Sequence, residues 1–265
     1  MPPKHSQLGQ RVQLHRAFSK LGWGSRAQAW HRIAAGEVRV DGRVERNPLA
    51  WVDLAGQRIT WKDRDAAPRA TVTLAMHKPR GVVTTRSDER GRRTVYDLLP
   101  PGLPWLFPAG RLDADSEGLL VLTNDSGLST RLTDPAHHVP KVYRITVNGI
   151  PSEEALMQVR RGLVLADGPT RPAGVRVLKQ RPGQALLEMT LTEGRNRQAR
   201  RMWAALGHRV RRLVRVAIGG LQLGDLAPGE VRPLTADDVR LLLAVPVAAT
   251  KSPGRARRGR PQRRT

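Results

Sequence analysis

The chain has 265 residues, 39% of them hydrophobic, no cysteine, and 46 lysines and arginines against 23 acidic side chains. That length accommodates one large domain or two modest ones, each with a buried core. Absence of cysteine excludes disulfide frameworks, thiolate metal sites and thiol catalysis, and a net charge of +23 points to a polyanionic partner.

No run of about 18 apolar residues is present to span a bilayer. The opening MPPKHSQLGQR lacks the apolar centre of a signal peptide. No basic amphipathic helix with a bulky apolar face offers itself to a membrane. The expectation is a cytoplasmic protein whose partner is nucleic acid and not a lipid surface. Residues 1–65 carry 12 basic and 6 acidic side chains, and residues 66–250 carry 27 and 17. The basic excess is therefore spread over both halves, apart from the tail KSPGRARRGRPQRRT, which has seven cations and no acid. By composition, residues 247–265 form a disordered basic tail.

In chain order, Leu14, Ala17, Phe18 and Leu21 recur at helical spacing, and Gly22 is placed to end that helix. Ser25 can cap a second helix to about Ala35, with Trp30, Ile33 and Ala34 inward and Gly36 as the stop. Alternation in residues 38–44 around Asp41-Gly42 is a hairpin signal. Arg11, Arg16, Lys20, Arg26 and Arg32 fall on polar helical positions, giving a small basic module over residues 8–63. A polar linker, KDRDAAPR at 62–69, separates it from a second region, 71–246, that alternates strands and helices. Strands are predicted at 71–77, 119–123, 141–148, 185–192 and 209–218. Helices are predicted near 126–132, 152–161 and 195–206, and Thr235 can cap a last one. The fold class expected is α+β.

Residues 110–125 read GRLDADSEGLLVLTND, an acidic knot in a basic chain. In an extended segment Asp113, Asp115 and Glu117 would share one side, neighbours about 7 Å apart. Three readings are open on pattern alone. The carboxylates could be an acid/base pair of the inverting-glycosidase kind, although an aromatic content of 4% is poor for a sugar cleft. They could bind a metal, or they could form a polar turn into the strand beginning at 119.

The same segment resembles the catalytic motif of the RsuA family of bacterial ribosomal-RNA pseudouridine synthases: Gly-Arg-Leu-Asp, then Ser-x-Gly-Leu-Leu, then Thr-Asn-Asp. Ser126 stands where the family usually has glycine. HKPRGVVTTRSDERGRRTVYDLLP (77–100), RLTDP (131–135), KVYRITVNGIP (141–151), EGRNRQARRM (193–202) and LAPGE (226–230) are similar to family blocks in family order. Gly24-Ser25-Arg26 and the segment GEVRVDG (36–42) resemble the S4 RNA-binding domain. The likeness covers residues 8–245.

This resemblance implies a small S4 domain followed by a pseudouridine synthase domain with a mixed, largely antiparallel sheet flanked by helices. It implies Asp113 as the catalytic aspartate, Tyr143 stacking on the flipped base, and Arg195 pairing with the aspartate. Arg111 and Leu213 are implied at the target nucleotide. Asp115 and Glu117 become turn and surface residues. Arg11, Lys20, Arg26 and Arg32 are the RNA-binding candidates. No metal or cofactor is expected, and the protein is expected to be a monomer. The substrate implied is ribosomal RNA, with GIPSEEAL, ADGPTRPAG and EGRNRQARRM closest to members acting on the large subunit. The rival reading is a non-catalytic RNA-binding ribosome-assembly factor, which has no need of Asp113, Tyr143 and Arg195 together.

Overall fold

The computed structural model describes residues 11–54, 56–62, 64–65 and 70–244. The predicted basic tail lies outside them. Within residues 11–65, β1 (Arg11–Gln13) leads into α1 (Leu14–Lys20) and α2 (Arg26–Ala34). The Ser25 side chain accepts from the Gln28 N–H and the Gln28 side chain returns to the Ser25 N–H, a complete capping box. β2 (Val38–Val40) and β3 (Arg43–Glu45) form the expected hairpin. Asp41 and Gly42 both have positive φ, 51° and 81°, which a two-residue turn of this kind requires.

β4 (Trp51–Asp53) pairs with β1, while β5 (Ile59–Trp61) joins β2. β6 (Arg64–Asp65) pairs with β5, so these two residues of the predicted linker form an edge strand. Leu14, Phe18, Ala29, Ile33, Val38 and Ile59 fill the core, with Phe18 against Trp61 at 4.9 Å. Three expectations fail here. Trp30 is 45% exposed, Ala34 is exposed too, and Ala29 takes the inward place, because the buried stripe of α2 runs through 29 and 33. Arg11 lies on β1 and not on a helix.

The second region is built on one large sheet. Its strands are β7 (Thr73–Lys78), β8 (Phe107–Pro108), β9 (Glu117–Thr123) and β10 (Lys141–Asn148). After the hairpin of β11 (Val164–Leu165) and β12 (Gly168–Pro169) come β13 (Gly174–Arg181), β14 (Gln184–Leu191), β15 (Val210–Ile218), β16 (Leu221–Gln222) and β17 (Val231–Pro233). The order is β13-β14-β10-β15-β9-β7-β17, with β16 beside β15 and β8 beside β9. Every pairing is antiparallel except β9 with β15. The four remaining helices are α3 (Ser126–Thr133), α4 (Glu153–Arg161), α5 (Gln198–Ala205) and α6 (Ala236–Leu243). The architecture is mixed α+β with a mostly antiparallel sheet, as expected.

Sequence pattern explains how each half is covered. β14 alternates strictly between half-buried and buried, and Leu187 and Met189 pack with Ile145 and Leu213 beneath Met202 and Trp203 of α5. β7 and β9 are buried nearly throughout because both their faces are covered. Leu119 and Val121 face Leu128, Leu132 and Leu242, whereas Leu120 and Leu122 face Val95, Leu106 and Leu112. Among the described residues no helix is long and apolar enough to cross a membrane.

Candidate active site

The site lies where the two halves of the sheet meet. β9 and β15 touch through a short parallel pairing, Val214 with Glu117 and Arg215 with Gly118. Gly118 has φ +108°, and a Cβ there would lie 2.2 Å from the Arg215 carbonyl oxygen, so only glycine fits. The loop that precedes it, residues 110–116, carries Asp113 to the seam.

That loop is not extended. The Ser116 N–H donates to Asp113 O at 3.0 Å and closes a turn, so Asp113, Asp115 and Glu117 do not share one side. Polar anchors hold it from several elements. The Gly81 N–H donates to Ala114 O (2.7 Å), the Thr84 hydroxyl donates to Leu112 O (2.8 Å), and Arg200 donates to Asp115 O (2.8 Å). Leu112 itself is buried.

The three acids have separate partners. Glu117 is bidentate with Arg212 at 2.9 and 3.1 Å, with its side chain only 13% exposed, so it is not a surface residue. Arg197 grips Asp115 through two bonds of 3.0 and 2.9 Å. Burial pulls the Asp115 carboxyl upward, but the Arg197 hydrogen bonds and the Arg200 and Arg197 charges outweigh it and hold it below its ordinary value. Asp113 is left with one long ion pair, to Arg197 Nη1 at 3.6 Å, and its side chain is 31% exposed. That separation is too long for a hydrogen bond, so the carboxylate oxygens keep their lone pairs for a substrate.

Arg195 does not meet Asp113. It donates to Gly168 O (2.9 Å) and Pro169 O (2.7 Å) and reaches Asp167 at 3.4 Å, which ties it to the β11–β12 hairpin. The expected pairing is therefore corrected: the cation beside Asp113 is Arg197. Arg195 also precedes α5, which starts at Gln198 and not at 195. Arg197 caps that helix in the left-handed conformation, φ +48°, a backbone state uncommon for a side chain of this kind. Its grip on Asp115 fixes it there.

Asp113, Arg111, Tyr143, Arg195 and Leu213 all line one cavity of about 910 Å³, within the range that encloses a small ligand. Tyr143 is half-buried and pairs across the strands with Arg215 and Met189. Leu213 is buried and belongs to the core that continues under α5. A second cleft of about 780 Å³ shares Arg197 and is lined by Arg80, Arg200, Arg209 and Arg211. Arg11, Lys20, Arg26 and Arg32 are all exposed in the 11–65 module, and Arg32 is paired to Glu37 at 2.8 Å.

Sequence reasoning passed over three cations at this site. Lys78 is fully buried, donates to Pro79 O and Val82 O, and burial pushes it down to about 8 against the pull of Asp113, Asp115 and Glu117. Lys141 lines the cavity, and burial together with the Arg215 charge pushes it down to about 8. Arg215 lines it too and is only 4% exposed. Position i, i+2 from Tyr143 and from Leu213 was the available signal, since strand alternation puts such residues on one face.

The family described as RNA pseudouridylate synthase matches residues 72–205. An uncharacterised RNA pseudouridine synthase of Mycobacterium bovis is 40% identical over 247 residues, 89% of this chain and 95% of that protein. Ribosomal large subunit pseudouridine synthase B of Bacillus subtilis is 34% identical over 241 residues, 88% and 96% of the two chains. A crystal structure of a pseudouridylate synthase superposes with a TM-score of 0.65 at 30% identity, covering 87% of this chain and 99% of that one. With a family match over half its length and a relative this similar end to end, the chain belongs to the RNA pseudouridylate synthase family and is an enzyme that acts on RNA.

Proposed function

We propose that this synthase isomerises one uridine of large-subunit ribosomal RNA, with Asp113 as its catalytic aspartate. The observation that carries the reading is the state of that side chain: a partly exposed carboxylate at a cavity wall, beside Arg197 but not hydrogen-bonded to it, while Asp115 and Glu117 are fully engaged. Only one of the three acids is free to do chemistry.

In the reaction the N1–C1′ bond of uridine breaks, the uracil turns, and C5 bonds to C1′. A carboxylate serves either as nucleophile at C1′ or as base at C2′, and Arg197, 3.6 Å away, keeps it aimed. A uridine within folded RNA has to leave its stack to reach such a cavity. Tyr143 offers a ring on which the base can stack. Leu213 supplies an apolar contact beside it, and Arg111, exposed on the Asp113 loop, meets the backbone around the target. Arg195 binds the β11–β12 hairpin to the cavity wall, a positioning role in place of the expected contact with the aspartate.

RNA beyond the target follows the cations. The cleft of Arg80, Arg200, Arg209 and Arg211 continues the site, and the S4-like module with Arg11, Lys20 and Arg26 supplies further phosphate contacts. The module spans residues 8–63 and the catalytic domain 71–246, and the enzyme works as a monomer. The name of the Bacillus subtilis relative supports the large-subunit assignment.

Asp113→Asn is the test. It is expected to leave RNA affinity near that of the unaltered enzyme and to abolish tritium release from 5-tritiated uridine in ribosomal RNA. Retained release would remove Asp113 from the mechanism.

A further inference from the structure

The cavity holds more positive charge than its carboxylate requires. Arg215 lies across the strands from Tyr143, and Lys141, two residues before Tyr143 on β10, pairs with Ile218; both line the cavity beside the apolar core of Ile145 and Leu213. The β10–β15 register shifts between Val142 and Tyr143, a bulge that re-aims side chains at this spot. Arg215 is 4% exposed and donates through Nε to Leu119 O at 2.7 Å, yet its Nη2 is buried without a hydrogen-bond partner. Among the described residues neither Arg215 nor Lys141 forms an ion pair, and Lys141 forms no hydrogen bond. Two like charges on one cavity wall, each partly or wholly desolvated, close enough for Arg215 to act on Lys141, and neither paired to an acid, are costly in a folded protein. Such an arrangement is kept where an anion arrives.

We propose that Lys141 and Arg215 are the electrophilic element of this site, taking up the negative charge that develops on the uracil ring when it separates from the ribose. The inference rests on the reading that this cavity receives the target uridine at Asp113.

Breaking the N1–C1′ bond sends its electron pair to N1, so the base departs as a uracil anion with charge shared onto O2 and O4. C1′ is either captured by an Asp113 oxygen, or the C2′ proton passes to Asp113 and leaves a double bond to C1′. After the ring turns, C5 attacks C1′. As that bond forms, the C1′–O ester bond to Asp113 breaks, or C2′ recovers its proton. C5 loses its proton and N1 gains one, so the product is an isomer of the substrate. In both routes the anion exists within the cavity, and cations fixed beforehand stabilise it without reorganising. A phosphate is a poorer fit. Arg215 pairs in register with Tyr143, the residue that stacks on the base, and lies on the sheet face instead of at the solvent rim.

The test compares single-turnover cleavage of the target N1–C1′ bond in RNA carrying uridine with that in RNA carrying 5-fluorouridine, whose C5 holds fluorine in place of the proton that leaves. Fluorine stabilises the departing anion, so the fluorinated base needs less help. Lys141→Met is expected to slow cleavage at uridine by about 10²-fold and at 5-fluorouridine by less than about tenfold, with RNA Kd unchanged. Lys141→Arg is expected to recover most of the lost rate. Arg215→Lys, which keeps the charge and an Nε-like donor, is the second variant, and its thermal unfolding is measured alongside. Equal slowing of both substrates, or a loss confined to Kd as for a phosphate contact, overturns the proposal. Asp113→Asn run in parallel separates the two readings: a dead Asp113→Asn with an undiscriminating Lys141→Met sinks only the cation pair, while an active Asp113→Asn sinks both.

Discussion

In residues 11–65 the cations Arg11, Lys20 and Arg26 face water with no partner among the described residues, whereas around the cavity guanidinium groups are committed in advance. Arg197 and Arg200 hold Asp115, Arg201 holds Asp167 at 2.8 Å, and Arg212 holds Glu117. The same residue type therefore serves opposite ends. Uncommitted cations can follow a flexible phosphate chain and release its counterions. Committed ones give up that freedom to hold loops to within a fraction of an ångström, which chemistry demands. Lys141 and Arg215 belong to neither class: both line the cavity, and among the described residues neither is paired to an acid.

The largest effect should come from the seam itself. Gly118→Ala places a Cβ against the Arg215 backbone and should cost about 3 kcal/mol or more, with tritium release lost. Urea unfolding checks it, and unaltered stability would mean that the two half-sheets are not held this closely.

Next is pH. Lys78 is fully buried, and burial pushes it down to about 8 when folded, against an ordinary value of 10.5. Between those values the unfolded chain binds more protons than the folded one, so stability should rise with pH there, by about 1–3 kcal/mol. Lys78→Met should flatten that rise in urea titrations at pH 7.5 and 9.5.

Arg197→Ala sharpens the contrast between cation classes. As a positioning residue it should lower kcat by about tenfold or more while RNA Kd moves little. A variant whose loss lies wholly in Kd would put Arg197 with the phosphate binders. Smallest is Lys20→Ala with Arg26→Ala, expected to leave kcat alone and to reduce the slope of log affinity against log salt by about 1 per residue. Filter binding across salt concentrations reads it.

Elements with strong internal period were legible before any coordinates. LLVLT, KVYRITVN and ALLEMTLT stand within a residue or two of β9, β10 and β14, and Ser25 and Thr235 are the caps expected of them. β13 escaped because it is an exposed edge strand whose alternation shows only at Val175 and Val177. Trp30 was placed inward on hydrophobicity, a rule that large aromatic rings at a surface often break. At the site, motif likeness located the loop of Asp113 but not its partner. EGRNRQARRM offers four arginines, and which one turns toward the aspartate depends on the left-handed backbone at 197 and on carbonyls from the β11–β12 hairpin. Neither is encoded in spacing. Lys141 and Arg215 stayed hidden for a related reason: 74 residues separate them in sequence, and only the pairing of β10 with β15 brings them to one cavity.

The short parallel contact between β9 and β15 has a bearing on how the protein is made. Asp113 and Tyr143 leave the ribosome well before Arg215, and the Asp113 loop has no far wall until β15 slides in beside it. Contacts this distant along the chain form late. A nascent chain halted at residue 205 would thus carry the aspartate and both neighbouring arginines and still isomerise nothing, so newly synthesised enzyme stays silent until its last fifth has emerged.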